Sequence, residues 1–176
     1  MRYHKEELLD MVFSELNQNW RQQLPELQDA FEEVNFSKGE LLSNNWGELY
    51  MVAEGAFGKY AKKQPQRYAM PGEPLLIPNF RHNYIFKALA DTKTYLITKE
   101  QLYAINESNP KLFSLYQKLI GKHDQYLAFR TDLLDVPFLE RCQMLLKRYP
   151  KIRSYINNGE LSSFLNMSKE SLRKLC

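Results

Sequence analysis

The residues of this chain that could do chemistry together lie at its C-terminal end, in the stretch NGELSSFLNMSKESLRKLC that runs from Asn158 to Cys176. It reads as two short helices joined by a tight turn, the second of them basic. Leu161, Phe164 and Leu165 set apolar groups on one helical face, while Ser162 and Ser163 are small enough to let another helix cross closely. Asn166 falls at the turn; after glycine, asparagine bears a left-handed backbone most readily. Met167 fills the inside of the turn. Ser168 is placed as an N-cap, its hydroxyl accepting an N–H from the first turn of the next helix. Leu172 and Leu175 pin that helix to the first, which leaves Lys169, Glu170, Ser171, Arg173 and Lys174 facing outward. Such a face suits a major groove. The helix start with Ser168 can hold a phosphate, and lysines add sequence-independent affinity. Arginine and lysine can donate to guanine O6 and N7, and Glu170 can accept from a cytosine amino group. The same pattern equally describes a plain helical hairpin.

Charge is distributed to match a groove reader. Leu139 to Cys176 hold eight Lys/Arg against three acids, a local +5, while the rest of the chain carries −2 and the whole +3. A basic end on a near-neutral body is the footprint of a phosphate-contacting module, or of a solvated basic face. At 176 residues, 44% hydrophobic and 13% aromatic, the chain can bury a real core, which excludes wholesale disorder. No run approaches the roughly 18 apolar residues of a membrane span. The opening MRYHKEELLDMVF is charged rather than signal-like, so a soluble cytoplasmic protein without membrane contact is expected. Cys142 and Cys176 have no metal-ligand spacing and read as free structural thiols; two thiolates cannot hold an iron–sulfur cluster that needs four. His4, His82 and His123 lie far apart, with no H-x-H pair, which argues against a cupin-type metal site. No catalytic residue and no metal ligand is assigned, and the chain reads as a non-enzyme.

These end residues need a frame to position them. Residues 5–33 are apolar at helical spacing (Leu8, Leu9, Val12, Phe13, Leu16, then Leu24, Leu27, Phe31), with Pro25 opening a second short helix. From Val34 to Thr98 seven short runs are separated by Gly, Pro and Asn, which predicts an antiparallel sandwich or barrel. After Asn109-Pro110, the residues Leu112, Leu115, Leu119, Tyr126, Arg130 and Leu133 trace a near-heptad stripe with a weak point at Lys122-His123. That predicts one long helix over about 109–135, which either pairs with a symmetry mate or lies on the β module as core. Pro137 opens a further amphipathic helix, and a short helical stretch from Ile152 to Ile156 leads into the terminal unit.

This order of parts, with five local matches, resembles the Crp/Fnr family of bacterial transcription regulators over nearly the whole chain. Phe36-Ser37-Lys38-Gly39-Glu40 looks like the family's F-x-x-G-E/D element, and Leu49 to Gly55 (LYMVAEG) like its strand-and-turn lYfV-x-x-G. Ala88-Leu89-Ala90-Asp91 resembles A-L-x-D. Glu140-Arg141, Leu145-Leu146 and Tyr149-Pro150 resemble an eR…LL…P helix, and Leu161 to Leu172 resembles I-A-S-Y-L-G-I-T-x-E-T-L. The resemblance implies an α+β fold: N-terminal helices, an antiparallel double-stranded β-roll of cyclic-nucleotide-binding type, a long dimerisation helix and a C-terminal helix-turn-helix. It implies two domains, residues 1–135 and 136–176. Duplex DNA, a second copy of the chain and RNA polymerase are the partners it implies, with Lys169, Glu170 and Lys174 at base- or phosphate-reading positions and Arg173 in place of a serine.

Two departures qualify the likeness. The cAMP-binding relatives carry a phosphate cassette of the form G-E-x-(hydrophobic run)-x-x-R-(S/A)-A. Here Gly72-Glu73 match its start, two prolines interrupt the run, and the arginine slot falls on His82, with Arg81 one residue early. Imidazole has no guanidinium fork, so Gly72, Glu73, Arg81 and His82 are expected to serve an effector other than cAMP, or none. Many relatives also follow the recognition helix with a β-hairpin wing, and nothing follows Cys176; the subgroup is wingless or the chain is cut short. Without a wing, DNA binding is expected to be weaker and more salt-sensitive. The alternative is a sensor or interaction module whose helix-turn-helix no longer reads DNA.

Overall fold

In the computed structural model, which describes residues 2–42 and 46–176, strand β2 (Leu49–Glu54) divides the interior. Side chains alternate across a strand. Leu49, Met51 and Ala53 accordingly enter one hydrophobic cluster, and Tyr50 and Val52 enter another. Around it lie β1 (Glu32–Phe36), β3 (Phe57–Ala61), β4 (Gln64–Ala69), β5 (Pro74–Leu76), β6 (Tyr84–Ala88) and β7 (Thr92–Ile97). They form a four-stranded sheet in the order β1-β7-β2-β5 and a three-stranded sheet in the order β4-β3-β6, every pairing antiparallel. All seven expected strand runs are strands. Gly55 makes the β2–β3 turn at φ +82, and a Cβ there would lie 2.3 Å from Thr92 Oγ1, so only glycine fits.

Three cores result. Phe36, Phe57, Phe86 and Ile77 fill the space between the sheets. The outer face of the four-stranded sheet is covered by α1 (Lys5–Ser14), α2 (Trp20–Gln23), α3 (Pro25–Ala30), α4 (Lys99–Ser108) and the first half of α5 (Lys111–Leu134). The third core joins the end of α5 to α6 (Phe138–Arg148), α7 (Asn158–Leu165) and α8 (Lys169–Leu175), and it includes Ala56, Tyr68 and Leu89 of the roll. Residues 136–176 therefore share a hydrophobic core with the roll rather than standing apart from it.

Several expectations are corrected. The helical reading of residues 5–33 runs too far: α3 ends at Ala30, and Glu32–Phe36 pair with β7. Phe31 belongs to the helical stripe by spacing, yet it enters the core from extended backbone, at φ −79 and ψ 124. Helix α4 has no counterpart among the elements expected from the sequence. Its signal was the capping box Thr98-x-x-Gln101, in which Gln101 N–H donates to Thr98 Oγ1 at 3.2 Å and Thr98 N–H to Gln101 Oε1 at 2.8 Å. The cysteines are not free thiols: Cys142 of α6 and Cys176 form a disulfide with Cα atoms 5.7 Å apart. Their separation of 34 residues hides a contact that the packing of α6 on α8 creates. In the terminal unit Asn166 is left-handed at φ 50, and Ser168 Oγ caps α8 by accepting from Ser171 N–H at 3.0 Å, as its residue types predict.

Phe164 is fully buried where α7 meets Tyr68, with ring centroids 4.8 Å apart. Phe164→Ala should lower stability by about 3–5 kcal/mol, read as the shift of the urea unfolding midpoint.

Candidate functional site

A cavity of about 710 Å³ lies between the three-stranded sheet, the segment Ile77–Phe80 and one face of α4 and α5. Its size is that of a small-molecule site. Most of its wall is apolar or aromatic, from Leu76, Ile77, Tyr84, Tyr116 and Leu127. Among its polar groups, Lys59 enters from β3, Asn106 from α4 and His123 from α5, while half-buried Lys99 and exposed Asn79, Gln117 and Asp124 complete the polar lining. Lys59 is only 7% exposed, and its ammonium sits 3.9 Å from the centre of the Tyr84 ring. Burial, and secondarily the Arg67 charge, push its pKa down to about 8.

Behind that wall lies a buried cation. Arg67 of β4 is 2% exposed and is the cross-strand partner of Lys59. Its Nη1 donates to His123 Nδ1 at 2.9 Å and its Nη2 to the Pro74 carbonyl at 2.7 Å. The guanidinium lies 4.7 Å from the centre of the Tyr126 ring, and Glu73 Oε2 is 3.7 Å away. Glu73 also accepts from Arg148 of α6 at 2.8 Å. One carboxylate is thus held between a guanidinium of the roll and one of the terminal helices. Arginine has no acceptor to offer, so His123 receives through a bare Nδ1 and carries its proton on Nε2. Burial, reinforced by Arg67 and Lys59, holds His123 down to about 3. The weak point read at Lys122-His123 is therefore part of the buried seam of α5.

The terminal helices are fastened to the roll at a second place. Tyr60 and Tyr68 donate to Glu160 Oε1 of α7 at 2.5 and 3.1 Å, and Ser163 Oγ donates to Gln64 Oε1 at 2.6 Å. Burial raises both phenols, and the Glu160 charge adds to it. Arg141 locks the helix ends by donating to the Leu134 and Leu165 carbonyls at 2.7 and 3.0 Å. What remains exposed on α8 is polar except for Leu175, which was expected to pin this helix to α7 but is 36% exposed, leaving Leu172 as its buried anchor.

No protein-family model and no curated protein matches the sequence. Solved structures do match. FixK2 from Bradyrhizobium japonicum superposes with a TM-score of 0.68 at 14% identity, over 82% of each chain. A cyclic nucleotide-binding domain containing protein from Listeria monocytogenes gives 0.64 at 14% identity, over 96% of this chain and 88% of its own. A transcriptional regulator candidate of the Crp/Fnr family from Eubacterium rectale gives 0.64 at 12% identity, over 93% and 83%. The fold is that of the Crp/Fnr regulators. The likeness extends beyond the roll to the terminal helices, because these coverages exceed what residues 1–135 could supply.

On this Crp/Fnr-type fold the residues expected to serve an effector do not gather at the cavity. Gly72 makes the β4–β5 turn at φ +95, and Glu73 is taken up by Arg67 and Arg148. Arg81 is exposed. His82 lies with its ring 5.4 Å from Tyr84 and 6.0 Å from Phe86, and its pKa is lowered, first by burial and then by Lys59. None of the four is among the residues that line the cavity. Of those that do, His123 stands out in the sequence only as a dispersed histidine and a weak point of the long helix, and Lys59 and Asn106 not at all. The one signal was Lys59 itself, a cation on the inward-facing half of a short strand. Of the residues expected at DNA, Ser168, Lys169, Glu170, Arg173 and Lys174 are exposed and Ser171 is half-buried; Lys174 pairs with Glu170 at 2.7 Å. Among the described residues there is no cluster of metal-binding side chains and no helix long and apolar enough to cross a membrane.

Two measurements check the cluster. Glu73→Gln leaves two guanidinium groups without their shared anion and should cost about 3–5 kcal/mol in urea unfolding. His123 titrates near 6.5 when unfolded and about 3 when folded, so the unfolded chain binds the extra proton as pH falls below 6.5. Stability should then drop by up to about 1.4 kcal/mol per pH unit, and His123→Gln should flatten this slope between pH 6.5 and 5.

Proposed function

We propose that the chain is a transcription regulator that binds duplex DNA as a homodimer, with α8 entering the major groove and the cavity holding a small-molecule effector. The observation that carries this reading is the exposed polar face of α8, held by a shared core and two polar fastenings to a roll whose fold is that of Crp/Fnr regulators. Lys169, Arg173 and Lys174 supply phosphate contacts or guanine donors, and Glu170 an acceptor for cytosine. Two copies related by a two-fold axis would address successive major grooves.

The dimer reading rests on α5. Phe113 and Ile120 are 59% and 37% exposed on one helical stripe, with Gln117 and Asp124 on the same spacing. A second α5 laid there would cover the stripe and the adjacent cavity mouth. Cyclic AMP fits the cavity poorly. The segment between β5 and β6 contains no helix whose N–H groups could cradle a phosphate, and the inward cation is a lysine of β3. On this reading the protein works in the bacterial cytoplasm, with RNA polymerase as the machine its bound form recruits or blocks.

An electrophoretic mobility shift against promoter fragments of the source organism tests the proposal. A shift at low salt is expected, weakened by Lys174→Ala together with a salt-dependence slope reduced by about one. Absence of any shift from a folded, dimeric sample sinks it.

A further inference from the structure

The cavity has a chemical preference written into its wall. Lys59 and Arg67 are directly paired across β3 and β4, two cations on one face of a two-strand ladder, which is an unfavourable arrangement unless anions answer it. Arg67 is answered by Glu73. Lys59 is not: among the described residues its ammonium has only the Tyr84 and Phe86 ring faces, at 3.9 and 5.8 Å, and no hydrogen-bond acceptor. A ring face attracts a cation but accepts none of its three N–H donors in a full hydrogen bond. The group is nevertheless more than nine-tenths buried and lines the cavity. The acid on that lining is Asp124, exposed at the mouth. A second polar atom of the same wall, Asn106 Oδ1, is also buried without a partner.

We infer that the cavity binds a small organic monoanion, a carboxylate on an apolar alkyl or aryl body, with the carboxylate ion-paired to Lys59. The inference rests on the reading of this cavity as an effector site and gives that effector a class. One anionic head matches one unanswered ammonium, and the apolar wall takes the body. A nucleotide would bring a polar base and ribose to a wall that is mostly leucine, isoleucine and aromatic rings. A hydroxyl or N–H on the ligand body would satisfy Asn106. The charged and titratable groups around Lys59 and on the same lining are Arg67 on β4, His82 just before β6 and Tyr84 at its start, His123 and Asp124 on α5, and Lys99 of α4, which already faces Glu100 at 3.8 Å. Arg67 and Lys99 are cationic, His123 is held neutral and the acid, Asp124, is exposed, so the local field favours an anion.

Isothermal titration of the full chain with octanoate and 3-phenylpropanoate, beside the neutral octan-1-ol and 3-phenylpropan-1-ol, tests this. The carboxylates should bind at least about tenfold more tightly than their alcohols at pH 7. That preference should shrink as pH rises through about 8, where Lys59 loses its charge. Lys59→Met, which keeps the length and removes the charge, should abolish it. Alcohols binding as well as carboxylates, a preference that survives in Lys59→Met, or no binding of either kind overturns the inference. The wild-type comparison decides even if the variant does not fold. Mobility shifts run in parallel separate the two readings: DNA binding without carboxylate binding removes only the ligand class, and carboxylate binding without a DNA shift removes only the regulator reading.

Discussion

A guanidinium taken out of water governs how this molecule is put together. Arg67 is essentially inaccessible, and a cation in that position is tolerated only where its charge and most of its donors are met on several sides; here both Nη groups donate and Nε alone is left without a partner. Burial works to lower its pKa and the Glu73 charge works against that. Meeting its needs recruits four groups from three places: the Pro74 carbonyl at the start of β5, Glu73 of the preceding turn, and His123 and Tyr126 of α5. Through Glu73 it also recruits Arg148 of α6. The roll, the long helix and the terminal helices are thereby drawn to one point. The apolar contacts around that point set how closely they pack, but the charge sets which parts must be there.

That cluster also explains what could and could not be read from the sequence. The strands were legible because each short run is bounded by turn residues whose backbone demands are local, as with Gly55. The terminal unit was legible for the same reason: Asn166 and Ser168 act through bonds within four residues of themselves. The candidate site was not. Lys59, Arg67 and His123 are brought together by the register of β3 on β4 and by the packing of α5, and nothing near any of them in sequence marks the others. Gly72 and Glu73 drew attention because they match a motif, while the register of the turn sends Glu73 toward two arginines. The end of the first helical segment failed for a related reason. Phe31 has the right spacing for a helix, and pairing with β7 decided otherwise.

Helix α5 serves two masters along its length. Its first half closes the core over α1, α3 and α4, its middle presents His123 and Tyr126 to the roll, and its end joins α6 and α7. One edge of the same helix borders the cavity. A change at the cavity wall therefore touches the element that also carries the terminal helices, by way of His123, Arg67 and Glu73. This chain of contacts is physically continuous, from Lys59 paired across the strands to Arg148 on α6.

The two fastenings of the terminal helices, Tyr60 and Tyr68 on Glu160 and Arg148 on Glu73, fix more than stability. A module on a loose tether explores many orientations, and a rigid ligand that accepts only one of them makes the tether surrender that freedom at the moment of contact. Here the terminal helices are held against the roll by these contacts and a shared core once the chain folds. Any partner of α8 meets a surface whose direction is set, so the geometry of the roll becomes part of the geometry of recognition. In the proposed dimer, spacing between two such surfaces would be a property of the folded bodies rather than of linkers, and a partner with the wrong spacing would be refused without any unfavourable contact at α8 itself.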